Sequence, residues 1–284
     1  MGVEQTDKSI ILTHANGSTA EIYLFGATVT SWKVNGKENI FLSKKAALDG
    51  SAAIRGGIPV VFPIFGPPPS SPPEYAALKQ HGFLRTQTWK LDKVLLDREE
   101  GVSVRLVAPP PPASFGHQDI NVHYVVTLAG HQLVSDLHVR NNGKEDFKFQ
   151  ALLHTYLAVP DASKISITGI AAGVSYKDKV LGGQEFKAPG GSLVVDRQLD
   201  RVYAKIPSQE IQVSDGQEGG YKVRFRGFED ATIWNPTEEA GSKMGDMEPG
   251  GWDRYICVEP GFVSEWKSLP PGEQFIGQQT ITLV

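Results

Sequence analysis

Residues 121–140 read NVHYVVTLAGHQLVSDLHVR, and these twenty residues decide the fold. Two runs rich in Val, Leu, Thr and Tyr stand on either side of Gly130, a residue type that punctuates strands. Neither sustains the 3.6-residue period of an amphipathic helix. Working outward, the same character recurs in STAEIYLF (18–25), TVTSWKV (28–34), GVSVRLVA (101–108), DFKFQALLHTYLAV (146–159), YKVRFRGF (221–228) and QFIGQQTITLV (274–284). The pattern predicts roughly fifteen to eighteen strands and almost no helix. Because no helical segments alternate with the strands, a parallel α/β sheet is excluded. The expected fold is all-β, a large antiparallel sandwich or barrel forming one domain over residues 1–284.

Punctuation supports that reading. Asn16-Gly17 between SIILTH and STAEIYLF is a hairpin signal. The overlapping Asn16-Gly17-Ser18 glycosylation pattern and the Met1-Gly2…Thr6 myristoylation pattern are short matches without supporting context. The proline-rich segments GPPPSSPPEY (66–75) and APPPPASFG (108–116) read as stiff surface loops, since proline cannot serve a central strand.

Composition narrows the function classes. The chain has 284 residues, 40% of them apolar, and a formal net charge of −4. That charge excludes a broadly basic nucleic-acid surface and requires a local positive site for any anionic ligand. Cys257 is the only cysteine, so no intrachain disulfide forms and a reducing compartment is expected. With no signal-like start and no apolar run of spanning length, the expected location is cytoplasmic, without a membrane partner. The expected oligomeric state is a monomer, because no coiled coil or apolar arm is visible.

Several residues could carry chemistry. YAALKQHGFLRTQTWKL (75–91) holds Lys79, His81, Arg85 and Lys90, with Gln80 beside His81 and no acidic residue. As a regular strand, HGFLR would put His81 and Arg85 on one face and turn Gln80 away. Arg55 precedes paired glycines that would let a backbone or ligand approach closely, and its planar fork suits phosphate oxygens. In FQALLHTYLAVPD, alternation places His154 with Gln150, Leu152 and Tyr156; such a histidine is either a hydrogen-bonded core residue or an acid–base group. In RYICVEPGF, Glu259 shares a face with Tyr255 and Cys257, and Pro260-Gly261 predicts a turn that leaves Glu259 at a strand mouth. Cys257 reads as a buried thiol. No HExxH, Walker or dinucleotide glycine pattern is present, so neither a metal nor another cofactor is expected. Trp234, in IWNP, either fills core, the preferred reading, or packs against the apolar face of a ligand.

Taken in order, RGGIPVVFPIFG, KQHGFLR, ALLHTYLAV, LDRVY, IWNP and YICVEPG resemble the glucose-6-phosphate 1-epimerase branch of the aldose 1-epimerase (galactose mutarotase) superfamily, over residues 9 to 282. The resemblance implies a β-supersandwich and cofactor-free interconversion of the α and β anomers of a hexose 6-phosphate. It makes His154 and Glu259 catalytic and assigns sugar-phosphate contacts to Arg55, Gln80, His81 and Arg85. Asp200 is a further sugar contact, with Asp196 close by in sequence. The implied partner is a small sugar phosphate. Protonated His154, its pKa raised by a neighbouring carboxylate, would work with ionised Glu259. An epimerase for free aldoses and a non-catalytic carbohydrate-binding sandwich are the alternatives.

Overall fold

The computed structural model describes residues 2–217 and 219–284. Met1, part of the myristoylation-like start, lies outside them. The described residues form 21 strands, one short helix at Thr237–Gly241 and four 3-10 turns. The additional strands include pieces such as Lys37–Glu38, Val60–Val61 and Tyr156–Ala158, too short for alternation to show in sequence.

The two runs around Gly130 become Ile120–Ala129 and Gln132–Asn141, paired antiparallel with Leu128 opposite Leu133. Their alternate residues Val122, Tyr124, Val126, Leu128, Leu133, Leu137 and Val139 enter the main core, which residues from all three sheets share. The Asn16-Gly17 hairpin also forms: Gly17 takes φ +85° and Ser9–Thr13 pairs with Thr19–Tyr23. That hairpin belongs to a five-stranded meander covering Gly2 to Glu38.

An eight-stranded sheet contains the 120–141 hairpin, and another eight-stranded sheet carries the residues of interest. Its path runs Gln184–Lys187, Ser175–Asp178, Leu199–Tyr203, Asp230–Asn235, Tyr255–Leu269, Phe147–Leu153 and Val60–Val61, while Tyr156–Ala158 pairs beside Tyr255–Cys257. All of these pairs are antiparallel.

Two local expectations are corrected here. Pro260-Gly261 makes no turn: Tyr255–Leu269 runs straight through it as one fifteen-residue strand. Thr232, Ala231 and Asp230 stand opposite Glu259, Pro260 and Gly261, and Leu152 and Ala151 flank the other side. Pairing on both sides holds the chain extended despite its local turn chemistry. Glu259 therefore sits inside the sheet, not at a strand mouth.

HGFLR is not a strand either. His81 has φ +65° and Gly82 φ +71°, and Leu84–Thr86 forms a 3-10 turn. A Cβ on Gly82 would lie 2.0 Å from the Phe62 carbonyl oxygen, so this close approach admits only glycine. The proline-rich loops have exposed tips but buried anchors. Tyr75 and Phe115 are fully buried with ring centroids 5.3 Å apart, which ties the two loops together.

Gly82→Ala combines a backbone clash with a disfavoured φ. It is expected to destabilise the fold by more than about 1 kcal/mol in urea unfolding. An unchanged midpoint would mean that the turn rearranges freely.

Candidate active site

His154 follows directly on the strand Phe147–Leu153, and its backbone N–H donates to the Pro59 carbonyl at 3.0 Å. Glu259 reaches it from mid-strand, with Oε1 3.4 Å from Nδ1; the two side chains are 1% and 13% exposed, the glutamate the more buried. Neither His154 Nδ1 nor either Glu259 oxygen has a hydrogen-bond partner. An ionisable pair buried this way is costly unless function retains it.

Burial pushes the His154 pKa well below its usual value, and the nearby His81, Arg55 and Arg85 add to the shift. It pushes Glu259 well above the carboxylate range, with Asp200 adding to it and Lys179 opposing. The expected rise in the His154 pKa is thus overturned: loss of water and surrounding positive charge outweigh the adjacent carboxylate. Both shifts favour the uncharged forms, a neutral imidazole and a protonated carboxyl.

Alternation placed Tyr156 beside His154, and the rings stack at 4.8 Å with planes 14° apart. Trp234 meets the imidazole edge-on at 5.6 Å. Trp234 is half-buried: it packs on the apolar cluster around Tyr156 and Tyr255 and also lines the pocket. It faces the cavity because Asp200 lies opposite it across the strand pair. Cys257 is buried, and its thiol is pushed well above its usual pKa by burial. Its sulfur, His154 and Glu259 have ligand atoms within 4.8 Å of one another. Among the described residues this trio is the place where a metal ion could be held, although a protonated thiol is a poor ligand.

These groups open into a cavity of about 220 Å³ whose walls include Arg55, Gln80, His81, His154, Asp200 and Glu259. The sequence set these residues far apart; the sheet brings them together. The glycines after Arg55 serve backbone approach, since Cβ atoms on Gly56 and Gly57 would each lie 2.5 Å from a carbonyl oxygen, of Phe41 and Val29 respectively. Arg55 donates from Nη1 to the Tyr156 hydroxyl at 3.0 Å and from Nε to Asp246 at 3.1 Å. Gly66 N–H donates to His81 Nδ1 at 3.2 Å, which leaves the proton of the neutral ring on Nε2. Burial, with Arg85, Lys179 and Arg55 nearby, drives the His81 pKa to about 3 and keeps that ring neutral.

Arg85 stands behind this wall rather than in it. Its Nη2 donates to the Gln80 carbonyl at 2.9 Å. Asp200 is paired with Lys179 at 3.2 Å, whereas Asp196 is exposed and outside the pocket. Lys179, Asp246 and the hydroxyl of Tyr156 escaped the sequence reading. A lysine in YKDKVLGG carries no local signal that separates it from solvated neighbours.

The chain is thus a sandwich of large antiparallel sheets with a buried carboxyl–imidazole contact in a polar pocket. The aldose 1-epimerase family profile matches residues 8–282, and the chain belongs to that family. It is therefore an epimerase of the mutarotase class, acting on a small sugar. Among curated relatives, the "Putative glucose-6-phosphate 1-epimerase" of Cenchrus ciliaris is 30% identical over 290 residues, covering 98% of this chain and 85% of the relative. The protein of the same name from Escherichia coli K12 is 29% identical, over 88% of this chain and 82% of its own length. Among solved structures, a putative mutarotase from Salmonella typhimurium superposes with TM-score 0.86 at 24% identity, covering 99% of this chain and 92% of that one. A Synechocystis protein gives 0.79 at 20% identity, over 100% and 99% of the two chains. These two likenesses show the fold. Among the described residues no helix is long and apolar enough to cross a membrane.

The direction of the Glu259 shift carries a stability consequence. A carboxyl held above its unfolded pKa favours the folded state at low pH, and that contribution fades as pH rises past the usual carboxylate range. Glu259→Gln removes the ionisable group. Its melting temperature relative to wild type is expected to improve steadily from about pH 5 to pH 8. A constant difference over that range would contradict the raised pKa.

Proposed function

We propose that this chain interconverts the α and β anomers of a hexose 6-phosphate, glucose 6-phosphate above all. The observation that carries the reading is one cavity holding the unpartnered His154–Glu259 pair at 3.4 Å together with Arg55 in its wall. A free sugar needs the pair alone; a fixed guanidinium in the same cavity suits an anionic substituent.

Proton transfer from Glu259 to His154 across that contact turns the resting neutral pair into carboxylate and imidazolium without changing the net charge of the pocket. Glu259 then removes the C1 hydroxyl proton while His154 donates a proton to the ring oxygen, and the C1–O5 bond breaks to give the aldehyde. Rotation about C1–C2 and closure on the other face reverse both transfers. Arg55 holds the phosphate and Arg85 contributes charge from behind Gln80. Gln80, neutral His81 and Asp200 hydrogen-bond sugar hydroxyls. Anchoring the far end of the sugar positions C1 against the carboxylate.

The free-aldose alternative draws on one observation: Nε and Nη1 of Arg55 are already engaged by Asp246 and Tyr156. Polarimetry on glucose and glucose 6-phosphate decides between the two. Arg55→Ala is expected to slow the 6-phosphate by about one to two decades in kcat/KM, the size of a charge-assisted hydrogen bond, and glucose far less; Arg85→Ala, whose guanidinium stands behind Gln80, is expected to slow the 6-phosphate in the same direction but by less. Equal slowing of both sugars would make the arginines structural and favour the free aldose.

Glu259→Gln and His154→Ala are expected to lose several orders of magnitude in turnover, checked against their melting curves. The pair works with one shared proton. Activity therefore falls on the acid side as His154 gains a second proton, below its usual range, and on the alkaline side as Glu259 loses its own, above the carboxylate range. The kcat/KM profile is expected to be a broad plateau across neutrality. A single limb centred near the usual histidine pKa would contradict it. Dialysis against a chelator is expected to leave turnover unchanged; loss restored by a divalent ion would show that the His154–Cys257–Glu259 trio holds a metal.

A further inference from the structure

Tyr156 touches both halves of the site and has no part in the chemistry described above. It opens the short strand Tyr156–Ala158, is 2% exposed, and its backbone N–H donates to the Gly57 carbonyl at 3.0 Å. Its hydroxyl accepts the 3.0 Å hydrogen bond from Arg55 Nη1, while its ring lies parallel to the His154 imidazole at 4.8 Å. Tyr255 packs on the same ring at 4.9 Å and Trp234 meets it edge-on at 5.9 Å. The ring is therefore held against its neighbours, and its polar tip is held by the arginine.

Arg55 is clamped on two sides, by Tyr156 and by Asp246, and its Nη2 makes no hydrogen bond among the described residues. An anion that recruits this guanidinium pulls on the clamp. In a packed interior such a displacement passes to the next rigid group, because close-packed rings have little free space to absorb it. That group is the tyrosine ring, and the face of the ring is the surface on which His154 rests.

We infer that Tyr156 is a positioning residue linking the anion-binding guanidinium of Arg55 to the orientation of the His154 imidazole, so that a phosphate on the sugar raises the rate of the chemical step as well as the affinity. The inference rests on the hexose-6-phosphate reading. It adds that remote binding energy is used in kcat, the behaviour expected when contacts far from the reacting atoms improve the geometry at those atoms.

Tyr156→Phe keeps the stacked ring and removes only the hydroxyl. The test measures kcat and KM for glucose 6-phosphate and for glucose in wild type and variant, with a melting curve to establish folding. In wild type, kcat is expected to be higher for the 6-phosphate. In the variant that kcat ratio is expected to fall about tenfold, one charge-assisted hydrogen bond expressed as rate, with a much smaller change in KM. Tyr156→Leu, which also removes the stacked ring, is expected to lower kcat on both sugars. An unchanged kcat ratio in Tyr156→Phe, or a loss confined to KM, overturns the inference and leaves the phosphate reading intact. A wild type with no preference for the phosphate overturns both. A second measurement needs no variant: inorganic phosphate added to wild type with isotopically labelled histidine is expected to shift the His154 ring resonances. Unmoved resonances at saturating phosphate overturn the coupling.

Discussion

A carboxyl and an imidazole meet at 3.4 Å inside a sheet, with no hydrogen-bond partner at His154 Nδ1 or at either Glu259 oxygen. Much of the surrounding structure follows from keeping them there. Water would satisfy both groups, and exposure would return both pKa values to their usual ranges. The sheet removes that water by carrying Glu259 within its longest strand, with neighbouring strands paired on both sides. Burial moves the two groups in opposite directions, the carboxyl up and the imidazole down, an effect of the shared interior that neither residue type has alone.

Holding such a pair requires a rigid surround, and the aromatic residues provide it. Tyr156 and Trp234 pack on His154 and on each other, and Tyr255 packs on both of them, with centroid separations between 4.8 and 5.9 Å. Together with Phe41, Met247 and Cys257 they belong to an apolar cluster separate from the main core. The site is thus built on its own small packed unit rather than on the centre of the sandwich. Charge is arranged around that unit by reach: Arg55 and Lys179 extend into the cavity wall, and Arg85 acts through the carbonyl of Gln80. Since the chain as a whole is net negative, this local positive field is what an anionic sugar would meet at short range.

Strand alternation was legible from the sequence because one face of each strand enters the core, and burial enforces the period of two. The same rule placed Tyr156 on the His154 side and Cys257 on the Glu259 side, and the resemblance of six ordered motifs pointed to the family. Local turn chemistry was less reliable. Pro260-Gly261 reads as a turn but pairs as strand, because hydrogen bonds from two neighbouring strands outweigh the preference of two residues. HGFLR would put His81 and Arg85 on one face only as a regular strand, and it coils instead, because Gly82 makes a backbone approach that only glycine permits, at positive φ.

The sequence alone determined the all-β character, the residue types available for acid–base chemistry, and the cations available for an anion. These depend on side-chain identity and on contacts a few residues apart. Tertiary structure decided which of those residues meet. Lys179 joins Asp200 across 21 positions of sequence, Asp246 joins Arg55 across 191, and His154 joins Glu259 across 105. It also decided the protonation of the pair, since desolvation is a property of the completed interior. No local stretch of chain carries that information, because the water is excluded by residues far apart in sequence, from Arg55 to Glu259.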